Sequence, residues 1–437
     1  MTDSLRHVNA PSLQQIAASV AGYDPQALPV AQAQEFIARL VPRVQAIEVL
    51  PIRSALGRVL ARDIVSAIDV PAADNSAMDG YALRSADLSL AADTVLSIAG
   101  TGFAGRPFEG VVAAGQCLRI MTGAVMPAGL DTVVPQEFVK VEGEQVTVPP
   151  GIVRSGDNRR LAGEDLARGA VALAAGRIVR PADLGLLASL GRAEVAVFRR
   201  LRVAFFSTGN ELRSVGEPLA AGCVYDSNRY TLWGMLQRLG VEVLDLGIVP
   251  DDPAALEAVF LQATAAADAV ITSGGVSVGE ADHTKQVMAQ LGDVLFWRIA
   301  MRPGRPMAIG RIRAGGGSEH GAILFGLPGN PVAVMVTFYA FVRDALLAMS
   351  GATPQPLPML RAASSHAIRK KPGRTEYQRG SVSRAADGNW QVTLAGSQGS
   401  GVLRSMSEAN GLVVLPHASG DVAAGELVDV LPFDGLV

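Results

Sequence analysis

Only two cysteines, Cys117 and Cys223, occur in 437 residues, far apart and without a CxxC spacing. Neither a disulfide framework nor a cysteine zinc site is therefore indicated. The five histidines, His7, His283, His320, His366 and His417, are scattered without HExxH spacing. A dedicated metal cage of histidine or cysteine is not expected. A metal taking part would be a hard cation such as Mg²⁺, held by oxygens and by the substrate's own phosphates. Basic excess is missing as well: 38 Lys and Arg against 41 Asp and Glu leave a net charge of −3. That balance argues against broad nucleic-acid or anionic-membrane binding, so any recognition of an anion must be local. Long apolar runs are absent too. The longest, Val332 to Val342, has 11 residues, too few to span a bilayer. Met1 to Ile16 lacks the charged-then-apolar layout of a signal peptide. A cytoplasmic protein with no nucleic-acid or membrane partner is expected.

What is present is a globular composition, 49% hydrophobic and 18% charged, which at about 150 residues per domain suggests about three domains. Residues 1–25 show no sustained periodicity and read as a mobile N-terminal extension. Ala31–Val41 has the apolar spacing of a helix. From Ile64 to about Pro150, short apolar runs broken by Gly and Pro predict a β-rich domain. Pro181 opens a further helix ending near Leu190-Gly191. Between Leu201 and Gly351, apolar runs alternate with helical segments, which predicts a parallel or mostly parallel α/β sheet. Thr353–Pro358 reads as a linker, and the short strands after it suggest a small β-barrel.

In an open parallel sheet, ligands bind where the strands end. Four unusual loops follow strands of the α/β segment. They are Ser207-Thr208-Gly209-Asn210-Glu211, Gly247–Asp252, Thr272–Asp282 and Gly326-Leu327-Pro328-Gly329-Asn330-Pro331. Strand direction alone puts all four at one edge. The run Ser273-Gly274-Gly275-Val276-Ser277 offers backbone N–H groups and two hydroxyls to an anion, although it is neither a Walker A loop nor a GxGxxG fingerprint. Its alternative is a tight strand-to-helix turn. Asp252 before Pro253 reads as a helix N-cap, which leaves Asp251 as the functional candidate. Asp282 suits either capping or ligand binding, Asp226-Ser227-Asn228 reads as a cap cluster, and Glu211 suits Mg²⁺, a hydroxyl or a solvated surface. In Phe296–Pro306, an extended chain would put Arg298 and Arg302 on one face, with Arg305 on a proline-stiffened turn. Arginines so placed can clamp a tetrahedral oxyanion, or they form a solvated basic strand. Val70–Tyr81 is dense in turn formers, with Asp79-Gly80 suited to a hairpin turn. Ile120–Ala124 reads as a strand ending in a polar turn.

Together these segments resemble the molybdopterin molybdenumtransferase family, called MoeA in bacteria and represented by the C-terminal part of gephyrin in animals. The resemblance covers nearly the whole chain from about residue 28. It rests on DNSAMDGYA at 74–82, RIMTGA at 119–124, FSTGNEL at 206–212, YDSN at 225–228, TSGGVSVGEAD at 272–282, RPGRP at 302–306 and GLPGNP at 326–331. It implies an elongated homodimer of α/β plus β class. A discontinuous segment of residues 26–68 and 163–199 would form the dimer contact. A β-rich domain would occupy 69–162, a molybdopterin-binding three-layer α/β domain 200–352, and a C-terminal β-barrel 353–437. The implied reaction is the attack of molybdate on adenylylated molybdopterin, with AMP released with the help of Mg²⁺.

By the same resemblance, Asp79, Thr122, Glu211, Asp251 and Asp282 are the expected catalytic residues, with Glu211 and Asp251 on the metal. Asp79 and Thr122 would come from the partner subunit. Arg298, Arg302, Arg305, Arg379 and Ser400 join Ser207, Thr208, Gly209, Ser273, Gly274, Gly275, Ser277, Pro328, Asn330 and Pro331 as expected substrate contacts. Asp165 is a weaker candidate. Arginine stands at 298, 302 and 305 where lysine is common in the family, and Asn210 where aspartate is frequent. The enzymatic alternative is the adenylyltransferase of the preceding step, and a scaffold like gephyrin is the alternative of another class. Other proteins of molybdenum cofactor biosynthesis are expected partners.

Overall fold

The computed structural model describes residues 11–276, 282–313 and 321–433. The chain divides into two compact units: Met1–Glu48 with Gly57–Val59 and Phe198–Val437, and Val49–Leu56 with Leu60–Val197.

The first unit is built on a six-stranded sheet. Its order is Glu242–Val249, Arg202–Thr208, Ala269–Ser273, Ala322–Leu327, Pro306–Ile312, Gly292–Arg298. The first four strands are parallel and the last two pairings antiparallel, so Pro306–Ile312 runs against the other five strands. That antiparallel edge follows from chain length. Only residues 299–305 and 313–321 connect these last strands, fewer than the dozen or more a parallel crossover needs.

Period-two alternation splits the sheet's side chains between two cores. Val203, Phe205, Ile271, Ile323 and Phe325 face one, and Ala204, Phe206, Val270 and Leu324 face the other. On the first side pack Val30–Leu40, Ser227–Leu239 and Pro331–Met349, and on the second Pro253–Ala266 and Asp282–Leu291. The result is three layers. The helix Pro331–Met349 is longer than the 11-residue apolar run expected from sequence. By length and composition it would suit a bilayer, yet 72% of its apolar window is buried inside the fold. It is a core helix whose middle, Phe338–Val342, widens into a π-helical turn.

The expectation of a mobile extension over residues 1–25 is corrected from Pro11 onward, while residues 1–10 lie outside the described ones. Leu13–Ser19 is a helix. Gln15 N–H donates to Ser12 Oγ and Ser12 N–H donates to the Gln15 side chain, a reciprocal cap that satisfies two orphan donors. Leu13 and Ile16 are 1% and 2% exposed. Further on, the Trp297 indole donates to the Tyr23 hydroxyl at 2.8 Å. Burial of apolar side chains, not periodicity over a long window, holds this short helix in place.

The C-terminal strands Leu360–Ser364, Thr375–Arg384, Trp390–Leu394, Gly411–Leu415 and Leu427–Pro432 close into a barrel, because Thr375–Arg384 pairs at both ends of the order. Ala362, Val392, Val413 and Val430 fill it. Met301–Arg302 adds a short parallel strand against Thr375–Glu376.

The second unit holds a curled six-stranded sheet in the order Thr132–Pro135, Gly80–Leu83, Gln116–Ile120, Thr94–Gly102, Gln145–Val148, Lys140–Glu142. Alternate residues again divide between two clusters, Ala82, Leu118 and Val133 on one side and Tyr81, Leu83 and Val134 on the other. Asp79-Gly80 is not the hairpin turn its composition suggested. Gly80 lies inside a strand, where a Cβ would meet the Val134 carbonyl at 2.0 Å. A smaller cluster gathers Leu60, Leu187, Val195 and Val197 around the helix Pro181–Ser189.

Leu13→Ala and Ile16→Ala should each lower global stability by about 2–5 kcal/mol, the range for emptying a core site. Urea denaturation checks this, and unchanged midpoints would restore the mobile-extension reading.

Candidate active site

Because four strands run parallel, the loops after Thr208, Val249, Ser273 and Leu327 leave the sheet at one edge. There they line a cleft of about 710 Å³ with the turn Met301–Pro306 and, from the barrel, Arg374 and Gln398–Ser400. Backbone contacts set its floor. Gly274, at φ +97°, lies so close to the Thr208 carbonyl that a Cβ would sit 2.5 Å from it. Its N–H donates to the Leu327 carbonyl at 3.1 Å. Asn228, 8% exposed, donates to Ser273 Oγ at 2.8 Å and to the Gly329 carbonyl at 2.6 Å. One amide thus ties two loops together. Asp226 caps that helix, accepting from Arg229 N–H at 3.1 Å.

The two expected metal-holding carboxylates, Glu211 and Asp251, both line the cleft. Glu211 is exposed and folds back over Gly209, where a Cβ would meet its Oε2 at 2.6 Å. Asp251 is positioned from both ends. Its N–H donates to Asn210 Oδ1 at 3.2 Å, and its Oδ1 accepts from Thr284 Oγ1 at 3.3 Å. Asp252 caps the next helix, accepting from Ala255 N–H at 2.9 Å. Thr208, Gly209, Ser273, Gly274, Gly275, Pro328, Asn330 and Ser400 line the cleft as expected, with Arg302 and Arg305. Two carboxylates fit a Mg²⁺ that draws its other oxygens from phosphate and water. A cage of protein ligands alone is not available, since among the described residues no three His, Cys, Asp or Glu side chains group for one.

The shared strand face expected of two arginines is corrected. Arg298 and Arg302 do not share a strand face. The chain leaves the sheet after Arg298, which pairs with Pro306, and Arg302 joins the barrel sheet instead. Arg298 does not line the cleft. Ser207 is fully buried in the sheet, with no partner for its hydroxyl, and Pro331 serves as the first residue of a helix. Arg379 is 1% exposed and is spent on the protein itself. Its Nε donates to Ser405 Oγ at 3.0 Å, Nη1 to the Gln398 carbonyl at 3.3 Å, and Nη2 to the carbonyls of Ser397 and Gly399 at 2.9 and 3.0 Å. It therefore holds the loop that carries Ser400. Burial, then nearby Arg302, pushes its pKa below the ordinary guanidinium value. Ser277 lies outside the described residues, and so does the side chain of Asp282, which opens the helix Asp282–Leu291.

In the second unit, Asp79 and Thr122 meet at the ends of neighbouring strands. Asp79 Oδ1 accepts from the Thr122 N–H and from its hydroxyl, both at 2.7 Å. The backbone donor first and the hydroxyl second hold the exposed Asp79 carboxyl below the usual carboxylate range. Its charge is thus fully present at neutral pH and is lost only as pH falls through that lowered value. Asp165 lies on an exposed loop, its N–H on the Val70 carbonyl.

Residues 28–191 match the MoeA N-terminal region (domain I and II), 204–348 the probable molybdopterin binding domain, and 361–433 the MoeA C-terminal region (domain IV). A molybdopterin molybdenumtransferase of Haemophilus influenzae is 41% identical over 407 residues, 93% of this chain and 98% of that protein. The chain belongs to the molybdopterin molybdenumtransferase family. A relative of the same name from Nostoc is 38% identical over 90% of this chain and 91% of its own length. The crystal structure of the molybdopterin biosynthesis moeA protein from Pyrococcus horikoshii is 28% identical, with a TM-score of 0.79 over 93% of this chain and all of that one.

Within this molybdenumtransferase fold, sequence reasoning missed Asn228, Arg374 and Gln398 as cleft residues. Asn228 stood in YDSN, where a cap explained the motif. Arg374 and Gln398 follow the linker, in a barrel whose approach to the sheet edge no local pattern announces. Thr122→Val keeps the backbone donor to Asp79 and removes the hydroxyl. Asp79 should then titrate at a higher pH than in the parent, read from its carboxyl carbon resonance by NMR. An unchanged titration would contradict the pairing.

Proposed function

We propose that this protein is a molybdopterin molybdenumtransferase that transfers molybdenum from molybdate to adenylylated molybdopterin and releases AMP. The observation that carries this reading is the composition of the cleft: two carboxylates, several arginines and a glycine-rich loop, in a chain whose net charge is −3. Molybdate and the substrate phosphates are tetrahedral oxyanions, which arginine forks and backbone N–H groups bind. Displacement at phosphorus depends on positioning and charge neutralisation, so no nucleophilic side chain is required.

Arg302 and Arg305 orient the oxyanions, and in the loop Ser273–Gly275 the Gly275 N–H is the donor offered to them, since that of Gly274 is held by the Leu327 carbonyl. Glu211 and Asp251 would hold Mg²⁺, which when bound supplies positive charge to the phosphates. Asp79, kept ionised by Thr122, completes the site from a second copy of the chain, so the working form is a homodimer in the cytoplasm. On this reading the chain keeps a four-part division into 26–68 with 163–199, 69–162, 200–352 and 353–437. The adenylyltransferase alternative is disfavoured because the cleft draws on barrel residues Arg374 and Gln398–Ser400.

Purified protein mixed with adenylylated molybdopterin, molybdate and Mg²⁺ should release AMP in a molybdate-dependent way. Release indifferent to molybdate would refute the reading. Asp79→Ala and Glu211→Ala should each abolish turnover, and mixing the two chains should restore part of it. Mixed dimers without activity would rule out the shared site.

A further inference from the structure

The cleft holds a cation that no motif of the sequence announced. Arg374 lines it from the barrel, immediately before the strand Thr375–Arg384. Its Nε and Nη2 both reach Glu376 Oε1, at 2.8 and 2.7 Å. The two halves of this pair differ in exposure: the Arg374 side chain is 38% accessible and the Glu376 side chain 2%. Glu376 is fixed further, its Oε2 accepting from Gln378 Nε2 at 2.9 Å. The carboxylate is therefore the buried, immobile half, and the guanidinium is the half that reaches the cleft. Arginine carries five N–H donors in a rigid fork. Nε donates one of them to Glu376 and Nη2 lies in ion-pair contact with the same oxygen, while the two N–H groups of Nη1 have no protein partner among the described residues.

Charge counting gives these free donors a purpose. Among the described residues, the ionisable side chains lining the cleft are Glu211 and Asp251 against Arg302, Arg305 and Arg374. Without Arg374 these lining groups cancel, two against two, and Arg374 adds a positive group that Glu376 behind it offsets in part. A cleft meant for anions that also carries two carboxylates needs that positive group.

We propose that Arg374 is a binding residue for a tetrahedral oxyanion, oriented by Glu376 and weakened by it. The inference rests on the function proposed above and deepens it. Glu376 fixes the plane of the fork and aims its free N–H groups at the anion. The same carboxylate withdraws part of the positive charge, so the pair sets affinity at a level from which product can leave. Removing the arginine and neutralising the glutamate should therefore move anion affinity in opposite directions. A pair that served stability alone would weaken the site whichever member was changed.

The test is calorimetric titration of the full chain with molybdate and, separately, with AMP, for the parent, Arg374→Ala, Arg374→Lys and Glu376→Gln. Arg374→Ala should weaken one of the two ligands about tenfold, since a charge-assisted hydrogen bond is of that order. Arg374→Lys, which keeps the charge and loses the fork, should recover part of the loss. Glu376→Gln keeps a hydrogen-bonding oxygen for the fork and should tighten the same ligand severalfold. Loss confined to molybdate assigns Arg374 to the metal oxyanion, and loss confined to AMP assigns it to the phosphate. If the parent binds both ligands and neither affinity moves in Arg374→Ala, or if Glu376→Gln weakens binding as Arg374→Ala does, the proposal is overturned while the function stands. If the parent binds neither ligand, the functional reading itself fails.

Discussion

The pairing of Met301–Arg302 with Thr375–Glu376 is two residues long, and through it the α/β domain meets the barrel. The Thr375 N–H on the Ala300 carbonyl and the Val332 N–H on the Ser400 carbonyl extend the junction to either side. Fixed this way, the turn that carries Arg302 and Arg305 stands over the sheet edge, and Arg374 and Ser400 arrive from the barrel. Were this junction to slip, the cleft would lose its basic wall and keep only its acidic one. Arg379 belongs to the same constraint. Its donors hold three consecutive carbonyls, Ser397 to Gly399, in a loop with no regular structure of its own.

The site thus separates its charges by architecture. The carboxylates sit on loops leaving parallel strands, where Asp251 is held by Asn210 and Thr284. The arginines sit on the turn and the barrel. A ligand bearing phosphates and a metal cation can lie between the walls with each charge near its opposite. Positioned charge of this kind is what phosphoryl-type displacement requires. In the other compact unit of the chain, the exposed Asp79 carboxylate is kept ionised by two hydrogen bonds from Thr122.

Much of this was readable in advance, for a definite reason. Strands alternating with helices imply a parallel sheet, and shared strand direction sends Thr208, Asp251, Ser273 and Pro328 to one edge without any knowledge of packing. What failed depended on contacts distant in sequence. Arg298 and Arg302 parted because the chain changes sheets between them, and Arg379 turned inward because its partners are carbonyls about 20 residues away. The helix Leu13–Ser19 escapes a search for long periodicity, although Ser12 with Gln15 three residues on carries a capping signal. Asn228 was explained too early by its neighbour Asp226, which does cap the helix while Asn228 ties the loops.

The central claim is that the cleft between sheet edge and barrel binds the metal oxyanion. Diffraction from crystals soaked in molybdate, collected at the molybdenum absorption edge, tests it directly. The account predicts an anomalous peak within reach of the arginines at 302, 305 or 374 and of Ser400. A peak only outside the cleft, in crystals of protein that still turns over, would contradict it.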